Sequence, residues 1–541
     1  MPRQPILVLA LLLAVSPLAG RAEEPVDLSM MTRIRDEGLH HSQVMDTLFH
    51  LTDVIGPRLT GSPQLKEAND WTRQRFAEWG LANAHLEGYP FGRGWTFTAC
   101  EVRMMVPRVV PLLALPKAWS PATNGPVRGE AMRVKIETEK DFEQYQGKLA
   151  GKVLLLDDPT EIKEPEDPQL KRYSGEQLEK VGEFDVPKEP GDRRKLGLER
   201  WRLRKALNEL LEKEKPVATV QASGRPNGVV SVMAGGSWEP GESVGVPAVV
   251  MAAEHYNQLL RLIGDGRPVE VELDVAAEFL DGDLQAYNTV AEIPGTDKKD
   301  EIVMAGAHLD SWHAGTGATD NAAGSAVVME AARILRALGV KPRRTIRVVL
   351  WSGEEQGYFG SLAYVKQHFA ARPESQDPQQ KELPERLRED TWPLTLKPEH
   401  AKLSAYFNLD NGSGRIRGIY AQENAAVRPI FAAWLAPFAD LGASTVTLRT
   451  TGSTDHVQFD RVGLPGFQFI QDGLDYESRT HHTNLDTYDH LQRDDLMQAS
   501  VIMAAFLYDA AMRPEMLPRK PLPQERKDKK DSKDGKDEKA P

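Results

Sequence analysis

Two histidines and a set of carboxylates stand in this sequence where hydrophobic runs give way to turns, and their residue types suit cation binding. The first group is Ala307-His308-Leu309-Asp310, followed by a glycine-rich turn to Asp320-Asn321. On extended backbone His308 and Asp310 lie on one side, so the carboxylate can accept the second imidazole N–H, as metal-bound histidines generally require. Asp320 opens a predicted helix, where it could bridge two cations or serve as a plain N-cap. The second group is Trp351-Ser-Gly-Glu354-Glu355. Adjacent side chains on extended backbone point apart, so one glutamate can hold a metal while its neighbour faces a water. Taken alone, such a pair is commonly a solvated loop.

The third group is Tyr406-Phe-Asn-Leu-Asp410-Asn411 and the fourth is His481-His482-Thr-Asn-Leu-Asp486-Thr487. An aspartate after a strand is often a turn former. Either of the paired histidines can be a ligand, with Asp486 as its orienting carboxylate. The groups gain weight from their common position at carboxyl ends of predicted strands, where open α/β sheets build their sites. Two imidazoles with three carboxylates suit zinc better than calcium or magnesium, which prefer all-oxygen shells.

The elements that must position them follow from hydrophobic pattern. Strands are predicted over 302–307, 345–350, 404–409 and 466–470, with a helix over 322–338 between the first two. This alternation implies an α/β fold with a mixed, largely parallel central sheet flanked by helices. We expect residues 285–512 to form the main catalytic domain and 23–95, with its helical spacing of Val44, Leu48, Leu51 and Ile55, to form its N-terminal part. Residues 96–284 are rich in short β pieces and read as a separate accessory domain. A charged, partly helical insertion interrupts it at about 160–216. The charged tail 513–541 has no apolar period and is expected to be disordered.

With 541 residues, 40% hydrophobic and 27% charged, the chain has ordinary globular composition and room for two folded units. Its net charge of −12 gives no basic field for phosphate backbones, so nucleic acid is not an expected partner. Residues 1–22 read as a secretory signal peptide: Arg3, a short apolar run over 6–15, then small residues Gly20 and Ala22 near the expected cleavage site. The run is too short to span a bilayer, so we expect export to the periplasm or beyond without a stable membrane anchor. The lone cysteine, Cys100, excludes an intrachain disulfide.

The strings His308-Leu-Asp310, Thr-Asp320-Asn321, Ser-Gly-Glu354-Glu355, Asn-Leu-Asp410 and His482-Thr-Asn-Leu-Asp-Thr487, in this order, resemble the M28 family of zinc metallopeptidases. The likeness extends to Gly-Pro-Arg58-Leu-Thr-Gly-Ser62 and to Ser453-Thr-Asp455-His456-Val-Gln-Phe459. His308-Leu-Asp-Ser-Trp312 is most similar to the carboxypeptidase Q-like branch. The resemblance implies the zinc exopeptidase fold and two zinc ions, His308 and Asp410 on one, Glu355 and His482 on the other, with Asp320 bridging. It makes Glu354 the general base and Asp310 the residue that orients His308. His482 rather than His481 matches, because it precedes Thr-Asn-Leu-Asp-Thr. Asp455 and His456 are expected near the substrate, and the β-rich middle is similar to the protease-associated (PA) domain that some members insert.

The resulting expectation is an exported di-zinc exopeptidase acting on peptides, an aminopeptidase or dipeptidase that uses a metal-activated bridging water. The nearest alternative is a carboxypeptidase of the carboxypeptidase Q type. A glutaminyl cyclase normally lacks the accessory domain, and a catalytically dead binding module would have lost ligands that this chain retains. Oligomeric state is not legible in the sequence.

Overall fold

The four hydrophobic runs that precede the candidate ligands become neighbouring strands. In the computed structural model, which describes residues 24–163, 165–186 and 193–525, one eight-stranded sheet contains Arg344–Trp351, Lys298–His308, Leu403–Asn408 and Gly466–Gln471 side by side and parallel. Their buried faces explain the near-continuous apolar runs, since a parallel sheet is covered on both sides. The sheet continues antiparallel through Gln285–Ile293 to Ala82–Pro90 on one side. On the other it runs through Ile416–Tyr420, antiparallel, to Thr445–Thr447. The mixed, largely parallel sheet expected from the sequence is therefore present.

One face is covered by the helices Ala323–Ala337 and Arg493–Met512, which pack Val327, Ala331, Ile334, Val501 and Phe506 into the same core as Ile346, Val348 and Phe407. The second of these helices is apolar nearly all round because it is enclosed on nearly all sides. The helix Phe359–His368 covers the other face, where Tyr364, Val365 and Phe369 meet Trp351 and Tyr406.

The chain between these pieces forms a second eight-stranded sheet, from Gly94–Val106 to Glu270–Leu280, around its own core of Val153, Val220, Val249, Leu259 and Leu273. The helix Arg193–Glu214 arises within the charged stretch that precedes Ala218–Ala222. An aromatic cluster of Phe91, Trp95, Trp119 and Trp312 joins the two sheets.

The helix Leu28–His40 precedes the helical spacing read from Val44 onward; Asp27 caps it by accepting Met30 N–H at 3.0 Å, and Met31 and Ile34, three residues apart, are buried. Two expectations need correction or limits. Residues 513–525 are packed rather than disordered: Leu517 is buried, and Arg519 donates to the carbonyls of His400 and Leu403 at 2.9 and 2.6 Å. Those bonds anchor the segment without any apolar period. The expected signal peptide and the rest of the tail, 526–541, lie outside the described residues.

Candidate metal centre

Strand register brings the sequence groups together. His308 ends its strand opposite Trp351 of the parallel neighbour, and Gly306 faces Asn408 on the other side. Glu354 and Glu355 therefore follow one edge of His308 and Asp410 follows the other, all at the carboxyl ends. The turn carrying the glutamates requires Gly353. Its φ is +72°, and a Cβ there would lie 2.7 Å from the Tyr89 hydroxyl and 2.9 Å from Phe359 Cβ.

Asp310 meets His308 as its spacing suggests, but mainly through its backbone carbonyl. His308 Nδ1 lies 2.9 Å from the Asp310 backbone carbonyl and 3.6 Å from its carboxylate. The carboxylate instead accepts the backbone N–H groups of Glu354 and Glu355, both at 3.3 Å, and the Thr60 hydroxyl at 3.0 Å. It thus fixes the imidazole through its carbonyl and the glutamate turn through its side chain.

Asp320 stands at the centre. Its Oδ1 is 3.3 Å from His308 Nε2, and its Oδ2 is 3.2 Å from His482 Nε2. His308 Nε2 is also 3.4 Å from Asp410 Oδ1, and His482 Nε2 is 2.9 Å from Glu355 Oε2. Two half-cages thus share one carboxylate. His481 Nε2 lies 3.9 Å from Asp320 Oδ2, farther than His482, and its ring stacks on Tyr476. Asp320 is not the helix cap its position suggested: it sits in an irregular turn, Ala318–Ala322, with non-helical backbone and no capping bond.

Two buried residues hold that turn. Asp486 accepts Thr319 N–H at 2.6 Å and Asp320 N–H at 3.1 Å, so it orients the Asp320 loop rather than an imidazole. Arg58, fully buried, donates to the carbonyls of Leu51, Gly56, Leu309, Thr316 and Gly317 at 2.7 to 3.0 Å. Its role was not legible in Gly-Pro-Arg58, although the motif itself was.

Asp455 and His456 do not reach the cavity wall, which Gly452 and Ser453 form at that point. They begin the short helix His456–Asp460 and are fully buried; His456 Nε2 lies 3.1 Å from the Thr451 carbonyl. Asp455 still feels the cluster. Burial raises its pKa to about 7, outweighing the pull of His308, and the Asp410 and Asp310 carboxylates add to the rise.

The electrostatics are those of crowded acids. Burial opposes charge on His308 and His482, yet the carboxylates around them hold both imidazoles well above the ordinary range. Burial raises Glu354 far above a usual carboxyl, with Asp410, Asp455 and Glu355 adding to the effect against His308. Burial likewise raises Glu355. Asp320 moves the other way: its two histidines overcome the cost of burial and hold it well below the usual range. Asp320 Oδ2 and Glu355 Oε1 are buried without a hydrogen-bond donor. Carboxylate oxygens left without donors in a cluster that also holds two imidazoles fit cations, and the mixed nitrogen and oxygen set fits zinc. All six residues, Glu354 included, line one cavity of about 700 Å³.

A mixed α/β sheet with this histidine and carboxylate cage at its strand ends has the zinc exopeptidase architecture. Residues 288–507 match the sequence profile of peptidase family M28. The chain is similar to carboxypeptidase Q of Bos taurus, 26% identical over 505 residues that cover 90% of this chain and 92% of the relative. Among solved structures it resembles a peptidase M28 precursor from Shewanella amazonensis, with TM-score 0.65 and 25% identity over 92% of this chain and 99% of that one. It also shares the fold of BSAP, a zinc aminopeptidase from Bacillus subtilis, with TM-score 0.54 and 19% identity over 86% and 94% of the two chains.

Proposed function

We propose that this protein is a di-zinc exopeptidase that hydrolyses the peptide bond beside an unblocked terminus, as an aminopeptidase or dipeptidase. One observation carries the reading: the two oxygens of Asp320 face His308 and His482 separately, at 3.3 and 3.2 Å. His308 and Asp410 would hold one ion, His482 and Glu355 the other, and Asp320 both. Zinc bound there would supply Lewis acidity to the scissile carbonyl and acidify a water. Glu354 is the general base. Its carboxylate takes the water proton and returns it to the leaving amine. Asp310 holds Glu354 in place through the bond from its N–H. We read the middle sheet as a PA domain and residues 1–22 as an export signal. Among the described residues no helix is long and apolar enough to cross a membrane.

Zinc content measured beside hydrolysis of unblocked aminoacyl amides, before and after chelation, tests the reading. Glu354→Gln should keep its zinc and lose about 10²- to 10⁴-fold in kcat. Loss of zinc together with turnover would remove Glu354 from the role of base. The extended likeness to carboxypeptidase Q favours a second reading, a carboxypeptidase. N-blocked against C-blocked dipeptides separate the two.

A further inference from the structure

The charged insertion ahead of Ala218–Ala222 holds a helix whose charge order the fold does not explain. The helix Arg193–Glu214 begins Arg193-Arg-Lys-Leu-Gly-Leu-Glu-Arg-Trp-Arg-Leu-Arg-Lys205, with seven cations and one acid, and ends in Glu212-Lys-Glu214. This order runs against the helix dipole, which favours acids in the first turn and cations in the last. Helix stability therefore does not account for it.

The acidic end works inside the protein. Glu212 accepts the backbone N–H groups of Val244 and Gly245, both at 3.0 Å, Glu214 accepts that of Gly147 at 2.7 Å, and Leu210 and Leu211 are buried. Toward the basic end, Lys205 pairs with Glu242 at 3.0 Å, and Arg204 also has a partner within the protein. Lys195, Arg200 and Arg202 differ: all three are exposed, and among the described residues none of their side chains forms a salt bridge or hydrogen bond. Helical spacing sets them on one surface, with Lys195, Glu199 and Arg202 along one line and Leu196, Arg200 and Leu203 along the next. Leu196 is 52% exposed, and Phe184 and Val186, which precede the helix in sequence, are 56% and 73% exposed.

We propose that this helix face docks the protein reversibly on an anionic lipid surface, with Lys195, Arg200 and Arg202 meeting phosphate-bearing headgroups and Leu196 entering the boundary beneath them. Cations interleaved with exposed apolar side chains on one helix are the composition of helices that lie in the plane of a membrane interface. The charge complementarity is local. The chain as a whole carries −12, so the basic face sets the orientation in which the protein can approach such a surface. A nucleic acid would engage the cations through its phosphates and leave the exposed apolar groups in water, whereas a lipid surface takes both.

The test measures co-sedimentation of the whole protein with vesicles of phosphatidylcholine, alone or mixed with phosphatidylglycerol. At low salt, binding to the mixed vesicles should exceed binding to the neutral ones by about tenfold or more, and it should fall as salt rises. Lys195→Gln, Arg200→Gln and Arg202→Gln combined should weaken it about 100-fold, near fivefold for each charge. Leu196→Ser should weaken it about three- to tenfold. The variants keep the wild-type N-terminus, so residues 1–22 contribute equally to every measurement. Thermal unfolding reports that each variant is folded, and the wild-type comparison of the two vesicles stands whatever the variants do. Equal binding to both vesicles, or binding to neither, overturns the proposal. Undiminished binding by either folded variant overturns it as well. Retention on double-stranded DNA without binding to the mixed vesicles would assign the face to a polyanion and overturn it too.

Discussion

The backbone carbonyl of His482 accepts the N–H of Val232 at 3.2 Å, so the turn that carries a candidate ligand is held by the segment between Ala218–Ala222 and Ala248–Met251 of the second sheet. The neighbours repeat the link. Ser231 bridges Thr483, and Val230 exchanges bonds with Asn484, donating to its Oδ1 at 2.7 Å and accepting its N–H at 3.0 Å. His482 has φ +62°, a left-handed conformation that non-glycine residues seldom adopt. Bonds from outside the catalytic sheet sustain that backbone, which aims Nε2 between Asp320 and Glu355.

Asn484→Ala tests this coupling, because it touches neither cage. It removes the side-chain acceptor of Val230 N–H and a donor to the Gly228 carbonyl. We expect the affinity for one of the two zinc ions to fall about 10- to 100-fold, the range for losing a group that orients a ligand. Zinc titration of the apoenzyme should resolve one weakened site. Equal weakening of both sites, or of neither, would show that the segment is not what places His482.

Arg58 tests the opposite wall. Five carbonyls converge on its guanidinium, and burial, only partly offset by Asp486, Asp310 and Asp320, lowers its pKa to about 10. Arg58→Met leaves those carbonyls without their donor and should cost at least about 3 kcal/mol of stability in urea unfolding. Arg58→Lys should rescue little, since three donors on a point charge cannot replace the guanidinium fork. Full rescue by lysine would mean that charge, not directed bonding, is what the loop needs.

Gly353→Ala probes the glutamate turn without removing a charged group. The added methyl meets the Tyr89 hydroxyl, itself bonded to the Ser352 carbonyl at 2.7 Å, and meets Phe359 as well. Relief of the clash displaces Glu354 and Glu355, and kcat/KM should fall by about tenfold or more. An unchanged rate would show that the turn adapts.

Much of the site was legible because it sits where local patterns change. Hydrophobic runs ending in His308, before Glu354 and Glu355, and before Asp410 marked three strand ends, and a parallel sheet gathers such ends at one edge. Side-chain partners were less legible, since they depend on contacts distant in sequence. Spacing placed the Asp310 carboxylate beside His308, but the turn at Gly353 brings two backbone N–H groups closer to it. Asp486 was assigned to a neighbouring histidine, whereas folding sets it under Thr319 and Asp320. Asp455 and His456 are expected near the substrate from their motif, yet the start of a short helix buries both.

Asp509 provides a prediction about pH that is independent of the metal centre. It lies buried on the helix Arg493–Met512 with Oδ2 lacking a donor, and burial, with Glu24 and Asp27 nearby, raises its pKa from 3.8 to about 8. Between those values the folded protein keeps a proton that the unfolded chain releases, so stability falls as pH rises through the window, and the full cost is present above about pH 8. Asp509→Asn removes the ionisation while keeping the shape. The variant should therefore unfold at a higher temperature than the wild type at alkaline pH, by an amount equivalent to about 2–5 kcal/mol. The advantage should shrink steadily toward pH 4, where the wild-type carboxyl is protonated in the fold and loses little by it. A difference between the two proteins that stays constant across the window would show that the Asp509 carboxyl carries no such proton.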